Sequence, residues 1–205
     1  MFCTGYEITK DNFEEAIAEC ERKGLTPRLV VLTNPNNPLG VCMEQKQILD
    51  VIEWSREHAM HILVDEIYAC CLYKEPSISG FQSVASMRTS DGGFPMDKQD
   101  VHVVWGLSKD FCVSGFRVGV LFTKNEKLLN YIGAIGGMTA VSNVLQVTLA
   151  KMFEDDEFLD SFLRANNEAL ARNSAICCDF FHLNEIKFVD PSAGTVLWCN
   201  LILYV

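Results

Sequence analysis

The chain has 205 residues, and its 17 Lys and Arg against 27 Asp and Glu give a formal net charge of −10. This acidic balance argues against a general nucleic-acid binder and against a protein that binds anionic membranes, because both need a basic surface. Hydrophobic residues make up 49% of the chain and charged residues 21%, which excludes an intrinsically disordered chain and predicts one large or two small folded domains.

The nine cysteines predict reduced thiols rather than a disulfide framework or a zinc site. Their number is odd, no C-x-x-C pair occurs, and two pairs are directly adjacent in the sequence. Such a pattern is typical of buried thiols in a cytosolic protein, and the four dispersed histidines show no metal-ligand spacing. Because the sequence also has no N-terminal signal segment and no apolar run of about 18 residues, we expect a soluble, cytoplasmic protein without a metal ion.

The first part of the chain alternates helices with short apolar segments. Apolar residues at helical spacing predict a helix over residues 9–23, and residues 29–32 follow as a strand buried on both faces. Residues 34–40, NPNNPLG, are typical of a rigid turn. A second helix over residues 43–59 and a second buried strand over residues 61–65 complete this alternation.

Two more strands and a long helical region follow. Residues 74–100 are polar and predict a loop with a short helix, before strands over residues 101–107 and 116–122. The last of these strands follows too soon for a helical crossover, so we expect it to run antiparallel to the others. Residues 142–183 predict one bent helix or two successive helices, with the acidic run at residues 154–157 as the break. Buried strands that alternate with helices are typical of an α/β fold with a mostly parallel sheet and flanking helices.

Polar side chains follow these strands, at the position where ligands bind in open α/β sheets. Asn37 lies in the turn after the first strand, and Asp65 and Tyr68 lie at the end of the second. Lys109 and Arg117 follow the third strand. An acid at the end of an apolar strand is costly unless it pairs with a cation. A lysine that loses hydration becomes a nucleophile. An arginine presents a planar fork suited to phosphate. Taken singly, each also has a structural explanation as a turn residue, a helix cap, a solvated lysine or a surface arginine.

Taken together, the segments NPNNPLG, VDEIY and SKDFCVSGFRVG, in this order, resemble the fold-type-I aminotransferases that use pyridoxal phosphate. The first and third segments are most similar to the branch of aminocyclopropane-carboxylate synthases and synthase-like proteins. This resemblance implies that Lys109 forms the internal aldimine with the cofactor and later moves protons at the substrate α-carbon. Asp65 would hold the pyridine nitrogen protonated, and Arg117 would bind the phosphate. Asn37 and Tyr68 would hydrogen-bond the 3′-oxygen of the cofactor.

The resemblance covers what looks like the middle of such an enzyme. Residues 1–150 would form part of a large cofactor-binding domain, and residues 151–205 a long helix and the start of a small α+β domain. An apolar strand is predicted over residues 195–205. Many relatives carry a phosphate-binding serine three residues before the lysine, whereas this chain has Gly106 there.

We therefore expect a pyridoxal-phosphate-dependent enzyme that acts on an amino acid through Lys109, as an aminotransferase or as an aminocyclopropane-carboxylate-synthase-like lyase in a biosynthetic process. Relatives are dimers whose sites borrow residues from the partner, so a cytoplasmic homodimer is expected, with no nucleic-acid or membrane partner. The alternative is a catalytically inactive, truncated scaffold or interaction protein, and an incomplete gene model would carry the same residues.

Overall fold

A sheet of four strands organises the computed structural model, which describes residues 8–201 apart from the side chains at positions 78, 79, 138 and 139. The strands are Leu29–Thr33 (β1), His61–Asp65 (β2), Val101–Gly106 (β3) and Gly119–Thr123 (β4). They lie side by side in this order, with β1, β2 and β3 parallel and β4 antiparallel to β3. The predicted α/β class, the mostly parallel sheet and the antiparallel fourth strand are confirmed.

Helices connect the strands and follow the sheet. The helices in the described part of the chain are Lys10–Arg22 (α1), Gln45–Glu57 (α2), Ser77–Gly80 (α3), Leu107–Asp110 (α4), Glu126–Thr139 (α5), Asn143–Phe153 (α6) and Asp156–Leu183 (α7), with short 3-10 turns at Pro95–Asp97 and Ser114–Phe116. Thr9 begins α1, because its hydroxyl accepts a hydrogen bond from the backbone N–H of Asn12 while the Asn12 side chain accepts one from the backbone of Thr9. The predicted helices before and after β1 are confirmed.

The predicted helical region after residue 142 consists of two helices, α6 and α7. Helix α6 ends at Phe153, and the carboxylate of Asp155 begins α7 by accepting a hydrogen bond from the backbone N–H of Phe158 at 2.9 Å. The acidic run is therefore the break, because it supplies an N-terminal cap. The expected domain boundary after residue 150 falls inside α6.

Helix α5 is not predicted by the sequence pattern. Gly133, Gly136 and Gly137 each disfavour a helix by about 1 kcal/mol relative to alanine, which conceals the element in a pattern search. The helix nevertheless begins at a strong signal, because the Asn125 side chain accepts a hydrogen bond from the backbone N–H of Leu128 at 2.9 Å.

The predicted strand over residues 195–205 is wrong for its described part. Residues 195–201 pair with the rest of the described chain at an isolated bridge, which joins Cys199 to Phe188. A strand needs a partner along its length to satisfy its backbone groups, and an apolar composition alone does not supply one. Residues 202–205 lie outside the described residues.

The two faces of the sheet have different surroundings. The covered face consists of residues at most 8% exposed, namely Val30, Leu32, Ile62, Val64, Val101 and Val103. They pack against the apolar side of α2, from which Ile48 and Ile52 are buried. The open face consists of the residues that alternate with these, namely Leu29, Val31, His61, Leu63, His102, Val104 and Leu121. There Leu29 is 48% exposed and Val31 57% exposed.

A second, smaller cluster lies where the chain leaves β3. Leu107 and Phe111 are buried against Leu149 of α6, and the Phe111 ring stacks on Phe162 of α7 with centroids 5.5 Å apart. This cluster anchors α4 to the two C-terminal helices.

Within residues 8–201 no helix is long and apolar enough to cross a membrane. The described cysteines are free thiols, most of them partly buried, although Cys112 is exposed. The described residues also contain no group of three His, Cys, Asp or Glu side chains that could hold a metal ion.

Candidate functional site

Three of the predicted site residues meet at the carboxyl ends of β1, β2 and β3. The Asn37 amide donates a hydrogen bond to the Tyr68 hydroxyl at 3.4 Å. The Lys109 ammonium nitrogen lies 6.0 Å from the centroid of the Tyr68 ring, within the range of a cation–π contact. Tyr68 is 3% exposed, so its ring is a fixed platform between the two polar groups.

The turn after β1 places Asn37 at this edge. The backbone N–H of Asn36 donates to the Val41 carbonyl at 2.8 Å, and the Gly40 N–H donates back to the Asn36 carbonyl at 2.9 Å, so the turn is closed on itself. Gly40 has a φ of 69°, which favours glycine. A Cβ at this position would also lie 2.9 Å from the Val196 carbonyl oxygen, so only glycine fits.

Asp65 ends β2, where it pairs with Thr33 of β1 and Val104 of β3. Its alternation in the strand places it on the open face, and its side chain is half-buried. One carboxylate oxygen accepts a hydrogen bond from the Ile67 backbone N–H at 3.0 Å. The carboxylate therefore caps the turn that leads to Tyr68, which is the structural explanation that the sequence left open.

Arg117 is held by its own loop. It ends the 3-10 turn in the left-handed region with a φ of 54°, a conformation that costs a non-glycine residue about 1–2 kcal/mol. The guanidinium is exposed and donates to the Ser114 carbonyl at 3.0 Å. The structure thus brings Asn37, Tyr68 and Lys109 together, while Asp65 and Arg117 contact their own neighbouring loops.

Gly106, three residues before the lysine, has no room for a side chain. A Cβ there would lie 2.9 Å from the Val118 carbonyl oxygen and 3.2 Å from the Ile67 side chain. Its φ of −169° is extended backbone that any residue adopts, so the preference for glycine comes from the close approach of the Val118 carbonyl and the Ile67 side chain. A serine at this position would therefore require the backbone at Val118 to shift.

The segment from Ser192 to Gly194 also belongs to the site, and sequence reasoning missed it. Two of its backbone N–H groups, those of Ser192 and Ala193, donate to the Gly40 carbonyl, and Gly194 donates to the Cys71 carbonyl at 2.8 Å. A Cβ at Gly194 would lie 3.6 Å from the Tyr68 ring. The only available signal is the turn composition, which does not reveal what the turn packs against.

Two buried carboxyls near the site were also missed. Glu66 is 4% exposed and accepts a hydrogen bond from the Val84 N–H at 2.8 Å, and Asp110 is fully buried beside Lys109. Burial raises the pKa of both carboxyls. Burial, together with the charge of Asp110, also raises the pKa of the Cys70 thiol to about 12, so this thiol is neutral and not a nucleophile.

The chain is similar to known proteins over most of its length. Residues 3–202 match the family described as aminotransferase class I and II. The chain belongs to this family. It is 31% identical over 196 residues to 1-aminocyclopropane-1-carboxylate synthase of Vigna radiata, covering 96% of this chain and 52% of that protein. It is 32% identical over 201 residues to the human probable inactive 1-aminocyclopropane-1-carboxylate synthase-like protein 2, covering 98% of this chain and 34% of that protein.

Solved structures show the same fold. An aspartate aminotransferase mutant of Thermus thermophilus superposes with a TM-score of 0.72 at 20% identity, covering 91% of this chain and 46% of that one. A pyridoxal-phosphate-bound C-S lyase of Staphylococcus hominis gives a TM-score of 0.70 at 20% identity, covering 94% and 46%. The chain thus spans between about a third and a half of the length of the relatives described here.

The donor set of this class I and II aminotransferase chain fits pyridoxal phosphate. The strand ends carry a primary amine, a carboxylate, and a phenol that is hydrogen-bonded to an amide. A guanidinium follows in the next loop. In the order amine, phenol, carboxylate and guanidinium, the four groups match an aldehyde, a ring hydroxyl, a pyridine nitrogen and a phosphate respectively.

Proposed function

We propose that this chain carries the lysine-bearing part of a pyridoxal-phosphate site that acts at the α-carbon of an amino acid. The reaction is a transamination or an elimination of the aminocyclopropane-carboxylate-synthase type, in a biosynthetic process. The protein works as a cytoplasmic homodimer. Residues 1–150 belong to its large cofactor-binding domain, and residues 151–205 lead into a small domain.

The observation that carries this proposal is the approach of Lys109 to Tyr68. The amine lies 6.0 Å from the ring centroid, and the hydroxyl of the same ring accepts a hydrogen bond from Asn37. A lysine side chain and a hydrogen-bonded phenol at the same strand-end edge are what a carbonyl-bearing aromatic cofactor needs.

Each residue has a role that follows from its chemistry. Pyridoxal phosphate, when bound, supplies an electron sink for negative charge at the substrate α-carbon. Lys109 would supply the amine for its aldehyde and move the proton at the α-carbon. Asp65 would keep a proton on the pyridine nitrogen, and Arg117 would hold the phosphate by a two-pronged contact. Tyr68 and Asn37 would orient the ring hydroxyl.

A second candidate is a catalytically inactive scaffold of the same fold. Gly106 favours it, because the chain lacks a phosphate-binding side chain at that position and the nearby Val118 carbonyl crowds any Cβ placed there. The name of the human relative, a probable inactive synthase-like protein, points in the same direction.

The absorption spectrum of the purified chain with added pyridoxal phosphate separates the two. The proposal expects a visible band that borohydride reduction removes, because the reduction fixes the pyridoxyl group on Lys109, where peptide mass mapping locates it. Lys109→Ala abolishes the band, whereas Lys46→Ala, which removes an exposed lysine on α2, leaves it unchanged. A chain that is folded by circular dichroism but shows no band on Lys109 is the scaffold.

A further inference from the structure

Asp110 is a fully buried carboxylate next to Lys109, at the end of α4. One of its oxygens, Oδ2, accepts two hydrogen bonds. The Trp105 indole N–H donates at 2.7 Å, and the Cys70 backbone N–H donates at 3.1 Å. Each donor comes from a different segment, because Trp105 lies in β3 and Cys70 lies in the turn that follows Tyr68.

This single oxygen therefore joins the segments that carry the site. Lys109 precedes Asp110 directly, and Tyr68 lies two residues before Cys70. Neither segment has long regular structure, since α4 is one turn and the chain after β2 forms successive turns. A hydrogen bond between the two segments fixes their separation, which the sheet alone does not determine.

Among the described residues, the groups that act on the Asp110 carboxyl include no cationic side chain. The titratable side chains beside it are the thiols of Cys70 and Cys71, and burial raises the pKa of both, so they stay protonated. A buried carboxyl without a cation is a poor choice for stability alone, because an apolar residue of similar volume fills such a position at lower cost. Glu66 is also buried, but its carboxylate accepts a hydrogen bond from the Val84 N–H, away from the lysine segment.

We propose that Asp110 is a positioning residue, whose carboxylate holds the helical turn of Lys109 against the Tyr68 segment so that the amine faces the cofactor position. The inference rests on the proposed function for its consequence, and on the two hydrogen bonds for its geometry. Asp110 is fully buried and would therefore act through Lys109.

The test compares Asp110→Ala with Asp110→Asn in the full chain. Alanine removes the acceptor, whereas the asparagine carbonyl can still accept from Trp105 and Cys70. We expect Asp110→Ala to raise the apparent Kd for pyridoxal phosphate and lower the borohydride-fixed fraction on Lys109 by about tenfold or more, as misplaced reacting groups do. Asp110→Asn should stay within about threefold of the parent chain, since the conservative variant restores the contact. Ile52→Val, a mild core change in α2, controls for stability.

Hydrogen exchange of the apoprotein supplies a readout without cofactor. In Asp110→Ala, the peptides that contain Cys70 and Lys109 should both exchange faster, while those of α2 do not. If borohydride fixes the cofactor on Lys109 of the parent chain and fixes it equally well in Asp110→Ala, the positioning role is overturned. If Lys109 of the parent chain takes up no label at all, the proposed function fails, and the exchange data alone decide whether Asp110 holds the two segments together. Faster exchange in both segments then supports this role, and unchanged exchange overturns it.

Discussion

The covered and open faces of the sheet belong to the same strands, yet they differ in what they contribute. Ile62 on the covered face is 1% exposed, whereas Val31 on the open face is 57% exposed. Both are β-branched apolar residues in regular strand positions, so strand propensity does not distinguish them. The difference teaches that the helices packed against a strand, and not the strand itself, make a residue part of the core.

The largest expected effect is the loss of stability when one residue on each face of the sheet is truncated to alanine. Ile62→Ala leaves a cavity between β2 and α2 and should lower the free energy of unfolding by about 2–5 kcal/mol. Leu29→Ala on the open face, in a side chain 48% exposed, should cost clearly less, within about 1 kcal/mol. Urea denaturation of both variants measures the two losses of unfolding free energy. Equal losses would mean that the open face is packed in solution.

Gly106 sharpens the comparison, because it is crowded although it belongs to the open side of β3. Gly106→Ser places a Cβ 2.9 Å from the Val118 carbonyl oxygen, so the backbone just before β4 must shift. Overpacking of this kind should cost about 1–3 kcal/mol in unfolding free energy and should not strengthen pyridoxal phosphate binding. Gly119→Ser on the paired residue of β4, where the nearest atom would lie at 3.6 Å, is the matched control. Tighter cofactor binding by Gly106→Ser would show that the loop yields and the phosphate contact is restored.

Much of the sheet could be predicted from the sequence, since its signals are local. The apolar run of residues 62–64 is bounded by the polar residues His61 and Asp65, and the structure forms the strand His61–Asp65. The strand-end position of Lys109 follows from the same pattern. What the pattern does not contain is the direction and packing of individual side chains. Asp65 faces the open side while its neighbour Glu66 is buried, and Gly194 reaches the Tyr68 ring from a distant part of the chain.

His102 tests how a buried polar side chain on the open face affects the stability of the protein at low pH. It is 5% exposed, and its ring nitrogens bond to His61 at 2.9 Å and to the Thr123 hydroxyl at 2.7 Å. Burial, and next the charge of His61, lower the pKa of His102, while Asp100 opposes them weakly.

The sign of the pH effect follows from this lowered pKa. Below the ordinary histidine value of about 6.5 the unfolded chain takes up a proton that the folded chain resists, so stability falls as the pH falls through that value. His102→Gln should reduce this loss between about pH 7.5 and pH 5.5, measured as the change in urea midpoint. An unchanged pH dependence in the variant would assign the acid sensitivity to other groups.

The smallest expected change in stability concerns Val31, which lies on the edge strand β1 and points to the open face. Val31→Lys places its charge in solvent rather than in the core, so the unfolding free energy should change by no more than about 0.5 kcal/mol. The same lysine should block edge pairing and interrupt the apolar surface, because charged residues on an edge strand oppose association. Sedimentation should therefore show less self-association of Val31→Lys than of Ala165→Lys, which adds the same charge to an exposed position of α7. Val30→Lys places its charge one residue away on the covered face and should unfold the chain, so the two neighbouring substitutions separate burial from strand position. If Val31→Lys proved as damaging as Val30→Lys, then the open face would be an interior surface of the protein in solution, and the dimer would be the first candidate to cover it.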